Sequence, residues 1–90
     1  MFETVQEAMR EAARNKWRVR LDFRNAHITG VAKPGESSGV WWIREGFWGG
    51  SVGCYNYQIE RVTRISERYS VRAVSELLWE RATTTTTTEA

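Results

Sequence analysis

The sequence predicts an α+β domain: an N-terminal helix, a five-stranded, strongly bent antiparallel small barrel, a short C-terminal helix and a disordered Thr-rich tail. Three observations lead there. Apolar residues recur at three- and four-residue spacing over the first thirteen positions. The period then drops to two at Trp17. From there, short β-type runs alternate with segments rich in Gly, Ser and Asn, the pattern of small β architectures.

Phe2, Val5, Met9, Ala12 and Ala13 make one apolar stripe, which predicts the first helix. Thr4 and Glu7 have the spacing of a capping box. Glu3 and Glu7 stand near the positive end of the helix dipole, and Arg10, Arg14 and Lys16 near the negative end. Asn15 is the expected stop.

Trp17, Val19, Leu21 and Phe23 then alternate with Arg18, Arg20, Asp22 and Arg24, the clearest strand of the chain. Asn25-Ala26 turns it into a second strand, Ile28 to Ala32, with Gly30 in its middle. A mid-strand glycine costs stability and often marks a bend, a bulge or close packing, and a bend is what barrel closure requires. Residues 33–39 form a loop, Val40 to Arg44 a third strand, and residues 45–51 a loop holding two large aromatics among glycines. Val52 to about Tyr57 is the fourth strand. Ile59, Val62 and Ile65 lead into a brief fifth. Val71, Val74, Leu77 and Leu78 fit a helical stripe, with Ser70 as its N-cap and Trp79 near its end. Residues 1–82 make a single domain. Residues 83–90, with the run Thr83 to Thr88, have nothing to bury and are expected to be disordered.

Composition narrows the chemistry. A chain of 90 residues buries roughly 60–65% of its extended surface, so the core is modest and a deep internal pocket is not expected. One Cys and one His exclude an intramolecular disulfide and a Cys/His metal cluster, and no cofactor is expected. No run of 18 apolar residues and no charged-then-apolar leader is present, so neither a membrane span nor export is expected, and a reducing cytoplasm is the default location. The net charge of +2 hides an asymmetry: Arg14 to Arg72 holds eleven Lys or Arg against five acids, a surplus of six. A basic middle suits an anionic ligand, although arginines are also ordinary solvated strand residues.

The helix, the strand Trp17-Arg18-Val19-Arg20-Leu21-Asp22-Phe23, the glycine-centred strand Ile28-Thr29-Gly30-Val31 and the closing run Ile59-Glu60-Arg61-Val62-Thr63-Arg64-Ile65 together resemble the Sm-like and SH3-like small barrels. The resemblance covers roughly residues 4–66 and implies RNA binding in rings. The second motif of the Sm-like family carries an Arg-Gly pair before the last strand. Here Tyr57-Gln58-Ile59-Glu60 stands in that region, so the family's RNA-binding loop residues do not carry over.

Enzymatic chemistry is not expected. Nucleophilic catalysis needs a nucleophile, a base and a group that orients the base, and Cys54 with His27 is the only such pair on offer. Cys54 reads as a small buried hydrophobe and His27 as a turn neighbour. Asp22 and Glu45 could meet across strands, as surface acids commonly do.

The strongest lead is the aromatic–glycine segment. Trp41, Trp42, Phe47 and Trp48, with Arg44 and Tyr55, form the candidate surface for a partner or ligand. Trp41 and Trp42 are adjacent in a strand and must face opposite sides, so one faces away from the interior. The structural alternative has one tryptophan plugging the barrel while Phe47 and Trp48 cap its end. Arg18, Arg20 and Arg24 on one strand face, with Arg61 and Arg64 near the closing strand, form a second candidate set for phosphates. Its plain counterpart is a charged solvent face, interrupted by Asp22.

The expected function is therefore a non-enzymatic interaction protein, a homo-oligomer that binds or blocks a protein partner or sequesters a small anionic ligand. The alternative is an Sm-like nucleic-acid binder using the arginine rows. A net charge of +2 is thin for a dedicated nucleic-acid module, and the aromatic loop is the odder feature.

Overall fold

The computed structural model describes residues 1–45, 50–66 and 75–82. It holds one helix, α1 (Val5–Asn15), and six strands: β1 (Arg18–Asp22), β2 (His27–Pro34), β3 (Val40–Arg44), β4 (Ser51–Tyr55), β5 (Arg61–Ile65) and β6 (Ser75–Glu80). A single 3-10 turn, Asn56–Gln58, links β4 to β5.

The helix begins and ends for identifiable reasons. Thr4 is extended, and its hydroxyl accepts a 3.1 Å hydrogen bond from the Glu7 backbone N–H. That satisfies one of the donors left open in a first turn. At the other end the chain leaves the helix through Lys16 in the left-handed region (φ 55°), just past Asn15. Trp17 N–H then reaches back 3.0 Å to the Ala12 carbonyl, and the chain turns directly into β1.

All strand pairings are antiparallel, in the order β4-β3-β2-β1-β5-β6. Val19 pairs with Gly30, Leu21 with both Ile28 and Val62, Ala32 with Ile43, and Trp41 with Cys54. Residues directly opposite one another share a sheet face, so these positions define the inner face. Met9, Val19, Leu21, Ile43, Ile59 and Val62 are the largest fully buried side chains, in one core where the Ala8, Met9, Ala12 stripe of α1 meets this face. The opposite face carries Arg18, Arg20, Lys33, Trp42, Arg44 and Arg61.

Gly30 is where the sheet needs a residue without a side chain. Its φ is +153°, and a Cβ there would collide with the Arg44 carbonyl, whose carbon lies 2.7 Å away. The bend expected from sequence is thus a close approach of backbone to backbone.

The sequence expectations need three corrections. Among the described residues the sheet has six strands rather than five. It is open, ending at β4 and β6, and is not closed into a barrel among the described residues. The residues expected to form a C-terminal helix are instead a strand where they are described: Leu77, Leu78 and Trp79 lie in β6, paired to β5. A register shift opposite Val62 and Thr63 leaves Leu78 as the extra residue, so that buried Leu78 and core-packed Trp79 share the inner side while Leu77, opposite Thr63, stays exposed. Ser70, Val71, Val74 and the tail Thr83 to Thr88 lie outside the described residues.

Candidate functional site

The two adjacent tryptophans of β3 divide as their strand positions require. Trp41 is buried, 3% exposed, on the inner face. Its indole N–H donates a 2.7 Å hydrogen bond to Asn56 Oδ1. Asn56 Nδ2 donates in turn to Gln6 Oε1 of α1, also at 2.7 Å. Trp41 is therefore a core residue with its polar atom satisfied, and it leaves the candidate surface.

Trp42 points the other way and is 46% exposed. It stands between Lys33 on β2 and Gly53 on β4. Its ring covers Gly53 so closely that a Cβ added there would lie 3.0 Å from Trp42 Cζ3. Two residues further along the same face of β4, Tyr55 is 49% exposed and stacks on Tyr57, with ring centroids 5.5 Å apart and planes 19° from parallel. Trp42, Gly53 and Tyr55 thus share the outer face at the β3–β4 border, and Tyr57, stacked on Tyr55, extends these aromatics toward the groove it lines with Phe23 and Val52. Arg44 is exposed on the same face of β3, across from Ser51. Phe47 and Trp48 lie outside the described residues.

The arginines proposed for phosphates are mostly committed to acids. Arg18 Nη2 lies 2.9 Å from Glu45 Oε1, and the other oxygen of Glu45 accepts a hydrogen bond from the Thr29 hydroxyl. Arg20 pairs with Asp22 at 3.1 Å within its own strand. Arg61 donates to Glu80 Oε2 through Nε at 2.9 Å and Nη2 at 2.7 Å. That bond and the Glu80 charge hold the Arg61 guanidinium above its ordinary pKa. Arg64 lies over the Trp17 ring, 4.4 Å from its centroid, with Glu76 at 3.9 Å. Among the five, Arg24 makes no ion pair within the described residues. Each exposed pair adds little to stability. Their consequence is electrostatic: a cation already facing a carboxylate attracts a phosphate less.

Cys54 and His27 do not assemble a catalytic pair. Cys54 lies on the inner face opposite Trp41, whereas His27 opens β2 on the outer face opposite Asp22. Burial pushes the Cys54 thiol up to about 11, so near neutral pH it is a protonated, apolar side chain. Asp22 and Glu45 are each held by their own arginine, Arg20 and Arg18. Among the described residues no helix is long and apolar enough to cross a membrane.

Sequence reasoning missed Tyr57, Gln58 and Arg81. Arg81 Nη2 lies within hydrogen-bond distance of the carbonyls of Asn56 (3.2 Å), Tyr57 (3.2 Å) and Ile59 (2.8 Å). It clamps the 3-10 turn that presents Tyr57. Its Nε is buried without a hydrogen bond, with the Glu60 carboxylate 3.5 Å away as an ionic neighbour. The sequence held one usable signal, Tyr55 and Tyr57 at i, i+2, but not the turn that stacks their rings.

No protein-family model, no curated protein and no solved structure matches this chain.

Proposed function

We propose that this chain is a non-enzymatic interaction module that docks a protein partner on the outer face of its sheet at the β3–β4 border. One observation carries the reading: Trp42, Tyr55 and Tyr57 are exposed together on one surface, with Lys33 and Arg44 at its rim. Rigid aromatic rings bury large area at little conformational cost, which is why they dominate partner anchors. The helix covers the opposite face, so folding leaves these rings uncovered. The opposite-face placement of Cys54 and His27 supports a role without nucleophilic catalysis.

The likeness to Sm-like and SH3-like barrels is part of this proposal at the level of architecture. The strand order β4-β3-β2-β1-β5 behind an N-terminal helix, with a 3-10 turn before β5, supports it. The function we draw from it is protein docking rather than phosphate binding, because Arg18, Arg20, Arg61 and Arg64 face carboxylates.

The test is affinity capture from an extract of the source cells, with wild type and Trp42→Ala/Tyr57→Ala as paired baits at low and high salt. A protein retained by wild type at both salts and lost by the double variant supports docking. Capture that disappears at high salt for wild type, together with quenching of tryptophan fluorescence by single-stranded RNA, would replace it with the nucleic-acid reading.

A further inference from the structure

The two edges of the sheet are built differently. The β6 edge is defended. It carries Glu76 and Glu80, it is bulged against β5, and its Leu78 carbonyl accepts a 2.8 Å hydrogen bond from Phe2 N–H. These are the devices by which natural sheets discourage further pairing. The β4 edge has none of them: Ser51-Val52-Gly53-Cys54-Tyr55 contains no charge, no proline and no bulge.

The ladder shows which backbone groups β4 leaves open. Asn56 N–H donates to the Gly39 carbonyl at 2.9 Å, which makes Gly39 and Asn56 a hydrogen-bonded pair. In antiparallel pairing such pairs alternate with non-bonded ones, so Cys54 and Val52 also bond to β3. The N–H and C=O groups of Ser51, Gly53 and Tyr55 therefore point away from β3. Tyr55 N–H fits that placement, because it donates to the side chain of Gln58 at 3.0 Å instead of to the sheet. The open row is centred on Gly53.

Val52 gives a second, independent sign. It lies on the inner face, opposite buried Ile43, yet it is 51% exposed. Beside it an open groove of about 560 Å³ runs between β4 and the end of β1, walled by Phe23, Arg24 and Asn25 on the far side. An inner-face valine at the lip of an open groove lacks the cover that Cys54, on the same face of β4, has.

We propose that two copies of this chain join edge to edge through β4, antiparallel about a two-fold axis at Gly53. This goes beyond the docking reading, which concerns side chains of the outer face. A two-fold axis sets a strand against itself, so every charge on the edge would meet its own sign, and β4 carries none. A glycine on the axis leaves no side chain to collide there. The Gly53 pair exchanges two backbone hydrogen bonds, and each Ser51 N–H reaches the other copy's Tyr55 carbonyl. Val52 of each copy then faces Cys54 of the other on the inner side and fills the groove beside Phe23. On the outer side the two Trp42 rings, each already over its own Gly53, meet across the axis. The two aromatic surfaces become one.

The test is the mass in solution of the purified full chain by sedimentation equilibrium, with two variants that disturb only the edge. Ser51→Pro deletes an N–H that β3 does not use. Val52→Lys places a cation close to its own symmetry mate. The expected result is twice the 10.4 kDa chain mass for wild type at tens of micromolar, and at least a tenfold weaker association for both variants with unchanged circular dichroism. A wild-type chain of single mass at 200 µM overturns the proposal, and so does a double mass that both variants retain.

Val52→Cys tests the register. Opposed non-bonded positions place Cα atoms about 4.5 Å apart, within disulfide range, so oxidation should link the introduced thiol of one copy to Cys54 of the other. The link should vanish in Val52→Cys/Cys54→Ala. No link, or one that survives loss of Cys54, overturns the Gly53-centred register. Failure of self-pairing leaves the docking reading standing, because capture by wild type against Trp42→Ala/Tyr57→Ala is scored separately.

Discussion

Asn56 joins Trp41 to Gln6: its carbonyl oxygen accepts from the indole N–H and its amide donates to the glutamine, each over 2.7 Å. One side chain after β4 thus ties the centre of β3 to the helix. Asn56→Ala would strand a buried indole N–H, at a cost of about 1–3 kcal/mol. Thermal unfolding should fall by roughly 4–8 °C per kcal/mol for a domain of this size. Asn56→Asp keeps the acceptor and loses the donor, so its melting point should lie between those of wild type and the alanine variant.

The two adjacent tryptophans should separate stability from binding. Trp41→Ala removes a buried ring and is expected to cost about 3–5 kcal/mol, enough to unfold much of a small domain. Trp42→Ala removes an exposed ring and should change stability by less than about 1 kcal/mol. It should nonetheless weaken partner capture more than tenfold. Urea titration reads the first effect and quantitative capture the second. A Trp42→Ala chain that binds its partner at wild-type strength would remove the outer aromatic surface from the proposed function.

Gly30→Ala should be among the most damaging single changes in the sheet. The added Cβ meets the Arg44 carbonyl, which is held in the β2–β3 ladder and cannot swing away as a side-chain tip could. The unfavourable φ adds strain of order 1–3 kcal/mol. The expected outcome is a cooperative transition lost or shifted down by more than about 10 °C. Gly50→Ala is the control, since nothing lies within 4 Å of a Cβ at that position.

Cys54 should make the fold sensitive to alkali. Burial disfavours the thiolate, so the folded chain holds its proton to about pH 11, against 9.0 for the unfolded thiol. The protonated thiol therefore favours the folded state below pH 9, and that contribution fades as pH rises from about 9 toward 11. Urea midpoints at pH 8, 9, 10 and 11 should decline more steeply for wild type than for Cys54→Ala. At pH 8 the thiol should react with a disulfide reagent only slowly until urea is added.

The first 65 residues were largely legible because each element there has a single period. The α1 stripe repeats at three and four, β1 alternates without interruption from Trp17, and Gly30 announces the close backbone packing. The error came at Leu77-Leu78. A β-bulge turns the consecutive residues Leu78 and Trp79 toward the same side of the strand, and with Val71 and Val74 ahead of Leu77 and Leu78 the spacing matched a helix. The ion pairing of the arginine rows was illegible for a different reason. Arg61 meets Glu80 and Arg64 approaches Glu76 only because β6 pairs with β5, a strand that the helical reading had removed. Register across strands decides which charges are free, and composition does not contain it. The exposed aromatic surface was half legible: the alternation required one of the two tryptophans to face outward, but the stacking of Tyr55 on Tyr57 depends on the 3-10 turn.

The position of β1 in the sheet has a consequence for how the chain is made. One of its edges is filled by β2, its immediate successor, while the other waits for β5, with Val19 paired to Arg64. During synthesis α1 and the hairpins β1–β2, β2–β3 and β3–β4 can form locally, within nanoseconds to microseconds of emerging. The middle of the sheet nevertheless stays bare until roughly forty further residues have left the ribosome, at about 5–20 residues per second. For those seconds Leu21 lacks Val62 beside it, and β1, which is central in the finished sheet, is the half-paired rim of the nascent one. Folding of this chain is accordingly paced by closing a long loop, and the half-made sheet is the species most exposed to mispairing.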